Sequence, residues 1–189
     1  MKSKIKIHIS LVTLIFSSIA CSIFIGGPEY PEQVSPISPT DAQSLKDIIQ
    51  QAMTNGAETG IINLQITEAQ LTAFIADQLA QQTNPPFTEP QILLRNGQMQ
   101  LYGKLERGWL QANMLITMNV SIDPATGKPS IQIASADFGP IPAPEGINSA
   151  ISSIIDEAFT GSFGPVAVGF RLETITIADS LMTLTGRIK

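Results

Sequence analysis

After Gly108, the residues Leu110, Ala112, Met114, Ile116, Met118, Val120 and Ile122 fall on one parity, while Gln111, Asn113, Thr117, Asn119 and Ser121 fall on the other, broken only by Leu115. Successive side chains of a strand point to opposite faces, so this spacing predicts one long strand with a continuous apolar side. Such a side has to be covered by a helix, a second sheet or a ligand. The rest of the chain must supply that cover.

Its neighbours read as strands as well. Asn96-Gly97 lies between Ile92-Leu93-Leu94 and Met99-Leu101, a two-residue hairpin signal. Asp123-Pro124-Ala125-Thr126-Gly127-Lys128 supplies a turn into Ile131-Gln132-Ile133, which extends the hairpin to an antiparallel meander. Upstream, Thr40 with Gln43 three residues on predicts a capping box for a helix bearing Leu45, Ile48, Ile49, Ala52 and Met53, with Gly56 to end it. Ile62, Leu64 and Ile66 alternate as a short strand. Thr67 and Gln70 then repeat the capping signal for a helix with Leu71, Phe74, Ile75 and Leu79 on one face.

The segment from Gly139 to Pro144 halts the sheet. Pro144 and Glu145 suit the first turn of a third helix, whose apolar face holds Ile147, Ile151, Ile154, Ile155, Ala158 and Phe159. Val166, Val168 and Phe170, then Leu172, Ile175 and Ile177, form a strand with a break in parity, and Asp179-Ser180 turns into a last strand from Leu181 to Thr185. This order predicts an α+β domain: a curved antiparallel sheet of hairpins and a meander, packed with about three amphipathic helices.

Ahead of it stands an N-terminal leader. Lys2, Lys4 and Lys6 precede a stretch without charge from Ile9 to Ile25, which suits a basic region kept on the cytoplasmic side of a membrane. As a helix at 1.5 Å per residue that stretch would be about 25 Å long, short of the roughly 30 Å hydrocarbon core. Ser18-Ile19-Ala20-Cys21-Ser22 has the form of a bacterial lipobox, although Ser18 stands where leucine is usual and Ile23-Phe24-Ile25 continues apolar. Lipidation of Cys21, an uncleaved helix and ordinary secretion all remain open. The expected organisation is a leader or anchor over residues 1–25, a tether over 26–39 containing Pro28, Pro31, Pro36 and Pro39, and a single extracytoplasmic domain over 40–189. On either anchoring route the domain sits at the cell membrane, on its outer side.

Composition narrows the chemistry. His8 and Cys21 are the sole histidine and cysteine, and both precede the domain, so it lacks a Ser-His-Asp triad, a thiolate nucleophile, the usual zinc ligands and a disulfide. The net charge of -5 opposes a nucleic-acid partner. Asp137, Asp156, Glu157 and Asp179 are the carboxylates left for acid–base work, but no spacing brings two of them to one substrate. The expectation is a protein that is not an enzyme and uses no cofactor or metal.

Four stretches carry a family resemblance: Ile66-Thr67-Glu68-Ala69-Gln70-Leu71, Asn96-Gly97-Gln98-Met99, Ala136-Asp137-Phe138-Gly139-Pro140-Ile141-Pro142 and Ile177-Ala178-Asp179-Ser180-Leu181. The chain resembles the uncharacterised anchored extracytoplasmic bacterial proteins of the YpmS-like kind, over most of residues 40–189. The resemblance implies topology and location; its motifs carry no catalytic residue. A more distant likeness to tubular lipid-binding domains implies an acyl chain held between a helix and a concave sheet.

Two uses of such a domain follow. In one, Met114, Met118, Ile151, Ile155 and Phe159 line a pocket for a lipid or other apolar ligand, with Trp109 near its mouth. In the other, those residues form an ordinary core, and a sheet edge or the polar face bearing Gln111, Asn113, Thr117, Asn119 and Ser121 engages another envelope protein.

Overall fold

The computed structural model describes residues 22–32, 34–124, 127, 129–143, 146, 147, 149, 151, 153 and 170–188. Along the chain these form β1 (Ile23–Phe24), α1 (Pro39–Thr59), β2 (Ile61–Thr67), α2 (Glu68–Ala80), β3 (Thr88–Arg95), β4 (Gln98–Arg107), β5 (Leu110–Ile122), β6 (Pro129–Asp137), β7 (Phe170–Ala178) and β8 (Leu181–Ile188). The class is mixed α and β with a largely antiparallel sheet structure, as expected.

Strands β3, β4, β5 and β6 are the predicted meander. The Asn96-Gly97 turn has φ of 55° and 76°, the left-handed pair that a two-residue hairpin needs, and it sets Leu94 opposite Met99. Across the next pair Met99 faces Met118, Leu101 faces Ile116 and Leu105 faces Ala112. Ala112, Met114, Ile116 and Met118 are each 0 % exposed, so the middle of the apolar side of β5 is fully covered, while Leu110, Val120 and Ile122 at its ends are partly buried. β2, β8 and β7 make a second antiparallel sheet. Its β7 lies against β5 and β3, so both sheets contribute to one apolar cluster, which Leu45 and Ile49 of α1 and Phe74, Ile75 and Leu79 of α2 complete.

Two helices, rather than about three, have defined bounds. The first begins two residues earlier and ends later than its sequence signals suggest. Ser38 is the cap, accepting the Thr40 N–H with Pro39 in the first turn, and Gly60 ends the helix in left-handed backbone (φ 76°) while Gly56 is buried inside it. The second forms the predicted capping box between Thr67 and Gln70. Of the third, Ile147, Ser149, Ile151 and Ser153 have helical backbone and Ile147 and Ile151 join the core; Ile154, Ile155, Ala158 and Phe159 lie outside the described residues.

The parity break expected near Phe170 is a bulge in β7. Leu172 pairs with Gly186 but Thr174 with Thr185, so Glu173 is the extra residue, and Leu172 and Ile177 are both buried despite their opposite parity.

Several of the residues expected as a tether over 26–39 bond to the domain ahead of the Ser38 cap of α1. Gly26 accepts the Asn113 N–H at 3.0 Å, and the Asn113 side chain donates to the Pro28 carbonyl at 3.0 Å. Tyr30 meets Tyr102 edge-on, and its hydroxyl donates to the Glu89 carbonyl at 2.5 Å. The Gln91 amide both accepts from the Ser35 N–H (2.9 Å) and donates to the Ser35 carbonyl (3.0 Å). Gln91, Tyr102 and Leu115 share the face of the sheet opposite the core. The prolines remove N–H groups that the segment would otherwise have to satisfy, and Gln91 takes the N–H of Ser35.

The two edges of the meander differ. On the β3 side, α2 covers the strand and its Thr72 and Glu68 side chains accept strand N–H groups, while Pro90 has none to offer. On the β6 side, the residues from Gln132 to Asp137 are exposed on both faces, and β5 is the strand's partner among the described residues.

Candidate functional site

The side chains singled out for an apolar pocket separate into three groups. Met114, Met118 and Ile151 belong to the central cluster. Met114 is tightly packed there: a Cβ placed on Gly103 would come within 3.0 Å of its terminal methyl and 2.7 Å of the Phe87 ring. Trp109 is 63 % exposed, on the turn between β4 and β5. Ile155 and Phe159 lie outside the described residues, as does the candidate lipidation site Cys21.

A surface cleft opens beside this core. It has a volume of about 540 Å³ and is lined by residues 84–86, 105–107 and 141–143. Three elements bring these together: the loop after α2, the end of β4, and the turn that follows β6. Leu105 and Ile141 are nearly buried and belong to the central cluster, so they form the inner wall. Pro85, Pro86 and Pro142 add rigid apolar sides. Met114 and Met118 are not among the residues that line it.

The rim is charged. Glu106 accepts a hydrogen bond from the Gln111 side chain at 3.1 Å, while Arg107 has no ion-pair partner among the described residues. A guanidinium is a planar fork of donors that fits carboxylate and phosphate oxygens. The cleft thus offers an apolar wall and a rim bearing one guanidinium and one carboxylate in one volume, within the ordinary size range of small-molecule sites. Sequence reasoning missed it because its lining comes from two loops and a strand end that are distant in sequence, though the density of proline at 85, 86 and 142 was a visible signal of rigid, non-strand backbone.

The carboxylates considered for acid–base work have local tasks. Asp137 accepts the Gly139 N–H at 2.8 Å, closing the turn after β6. Asp179 occupies the β7–β8 turn with φ of 52°. Asp156 and Glu157 lie outside the described residues, and among the described residues no three acidic, histidine or cysteine side chains are grouped to hold a metal.

The polar face of β5 is engaged within the domain. Gln111 bonds Glu106, Asn113 bonds Pro28, Asn119 accepts from Gln98 and Ser121 donates to the Ser130 carbonyl. Thr117 is buried. A second cleft, also about 540 Å³, lies between α1 and β2 and is lined by Gln51, Asn55, Asn63 and Gln65 with Ile48, Ala52 and Leu64; it holds no charge.

No family model matches the chain, and no curated protein matches it. No helix among the described residues is long and apolar enough to cross a membrane.

Proposed function

We propose that the chain is a membrane-anchored, extracytoplasmic, non-catalytic binding domain, and that its ligand is an anionic amphiphile: a lipid or lipid-like molecule with an apolar body and a carboxylate or phosphate head. The observation that carries this reading is the meeting of Leu105 and Ile141 with the Arg107 guanidinium, which has no ion-pair partner among the described residues, in one cleft. Each methylene removed from water against such a wall contributes about 0.8 kcal/mol, so a short length of acyl chain suffices for useful affinity. The YpmS-like resemblance agrees with this location and assigns no competing chemistry.

The anchor in this proposal is a lipid on Cys21. Ile23 and Phe24 pair with β5 as a strand, so the stretch without charge that is left for a helix ends by Ser22. From Ile9 that leaves about 21 Å of helix against a core of roughly 30 Å. That length suits a cleaved leader better than a span.

Native mass spectrometry of the protein purified from its membrane in mild detergent, followed by extraction of any bound lipid, tests the reading. The expected result is a stoichiometric anionic lipid that is lost in Ala143→Trp, which fills the cleft from an exposed position, and weakened in Arg107→Gln. Repeated recovery of protein that is empty and takes up no added lipid overturns it.

A second reading has its own support. The uncharged β6 segment from Ser130 to Ala136, with Ile133 42 % exposed, is a template for strand addition by another envelope protein. A photo-crosslinker at Ser135 should then capture one partner, and Ile133→Lys should abolish the capture.

A further inference from the structure

Ile23, Phe24 and Trp109 are 51 %, 55 % and 63 % exposed, and the pairing of β1 with the start of β5 gathers them at one end of the sheet, with Ile23 and Phe24 on opposite faces. β1 pairs in parallel with the start of β5, setting Ile23 against Leu110 and Phe24 against Gln111. Within that pairing the Ile23 N–H donates to the Trp109 carbonyl at 2.7 Å and the Ile25 N–H to the Gln111 carbonyl at 2.8 Å. Ile25 packs against the core, which fixes the strand that displays the other two side chains. Three large apolar groups exposed at one end of a sheet are a cost in water unless something covers them.

The position of Cys21 identifies that cover. Only Ser22 separates Cys21 from Ile23, and an extended chain advances at most about 3.6 Å per residue, so over two steps the two lie within about 7 Å of each other. The headgroup layer on each side of a bilayer is about 5–8 Å deep, from the difference between the hydrocarbon core and the whole bilayer. A Cys21 that carries acyl chains in the membrane therefore holds Ile23 at headgroup depth. Trp109 comes with it through the strand pairing, to the level where indole rings are favoured, with an apolar body toward the acyl chains and an N–H toward water.

We infer that Ile23, Phe24 and Trp109 form a foot that seats the domain in the outer bilayer interface and fixes its orientation. The inference rests on the lipid anchor proposed above. Because Arg107 is two residues from Trp109 in sequence, the seated foot brings the guanidinium on the rim of the cleft to the headgroups, where anionic lipids are met.

Trp109 is the chain's single tryptophan, so its fluorescence reports this contact alone. The full chain, processed and purified from its membrane, is reconstituted in phosphatidylcholine vesicles with acyl chains brominated at a shallow position. The expected result is a blue-shifted emission, strong quenching by the brominated lipid and protection from aqueous iodide. Phe24→Asp in the same vesicles should lose most of the lipid quenching while keeping its far-ultraviolet dichroism. Flotation of the vesicles separates the two ideas. A chain that floats with the vesicles but is quenched by iodide and not by lipid overturns the foot and leaves the anchor standing; a chain that fails to float overturns both. Unchanged lipid quenching in a folded Phe24→Asp variant also overturns the foot.

Discussion

The hydroxyl of Thr72 accepts the backbone N–H of Ile92 at 2.9 Å, and the hydroxyl-bearing residue is itself 0 % exposed. One helical turn away Glu68 accepts the N–H of Leu94 at 2.6 Å and pairs with Arg95. The distances explain the match: four residues of helix rise about 6 Å, and two residues of strand about 6.6 Å. With Glu68 opposite Leu94 and Thr72 opposite Ile92, α2 runs antiparallel to β3 and acts as a surrogate strand.

Thr72→Val keeps the shape and removes the acceptor, leaving the Ile92 N–H buried without a partner. The variant should unfold at lower urea, with a loss of about 1–3 kcal/mol, and Thr72→Ser should restore most of it. Equal stability of Thr72→Val and the parent would contradict this account of the edge.

Met118→Trp tests whether the core has room for a ligand. Met118 is 0 % exposed and faces Met99. Overpacking should cost about 1–3 kcal/mol and lower the melting temperature. An unchanged melting temperature would reveal free space beside Met118 and revive the apolar pocket first expected there.

How much of this was legible follows from what each signal depends on. The parity of β5, the Asn96-Gly97 turn and the Thr67–Gln70 box depend on neighbours in sequence, and all three were readable. Ser38 was overlooked as a cap because Thr40 and Gln43 imitate the same signal two residues later. The packing of residues 26–38 was unreadable for a different reason. It rests on Asn113, Tyr102 and Gln91, which are more than fifty residues away, and a proline-rich segment reads the same whether it is docked or free. Trp109 was noticed for its indole, but its exposure depends on β1, whose two residues looked like the end of the leader.

Gly139→Ala should loosen that docking. Gly139 has φ of 59°, and a Cβ there would lie 2.6 Å from the Gly27 Cα. Left-handed backbone alone costs a non-glycine residue about 1–2 kcal/mol, and the contact with Gly27 adds to it. Hydrogen exchange at the Ile23 and Ile25 amides should quicken before exchange in β4 does.

Tyr30 gives the domain an alkaline dependence. Burial first, and the nearby Glu89 carboxylate second, push its pKa from 10.0 up to about 12. Between those values the folded protein holds a proton that the unfolded chain has lost. The stability Tyr30 contributes is therefore complete below pH 10 and lost as the pH rises to about 12. Urea midpoints measured across that window should fall in the parent and fall less steeply in Tyr30→Phe.

Cys21→Ser separates the anchors. Mass spectrometry of the parent should show a diacylated, cleaved chain starting at Cys21, and the variant should keep its leader and lose the acyl mass. A parent with no acyl mass and an intact leader would favour an uncleaved helix.

The unlike edges of the meander have a consequence for assembly. One side ends in side chains that consume the N–H groups, while on the other β6 pairs with β5 alone among the described residues. A ribbon that can grow in only one direction has a single valence. Two copies joined along β6 would leave no strand edge of the meander for a third, so association through this sheet ends at a pair and does not propagate into a fibre.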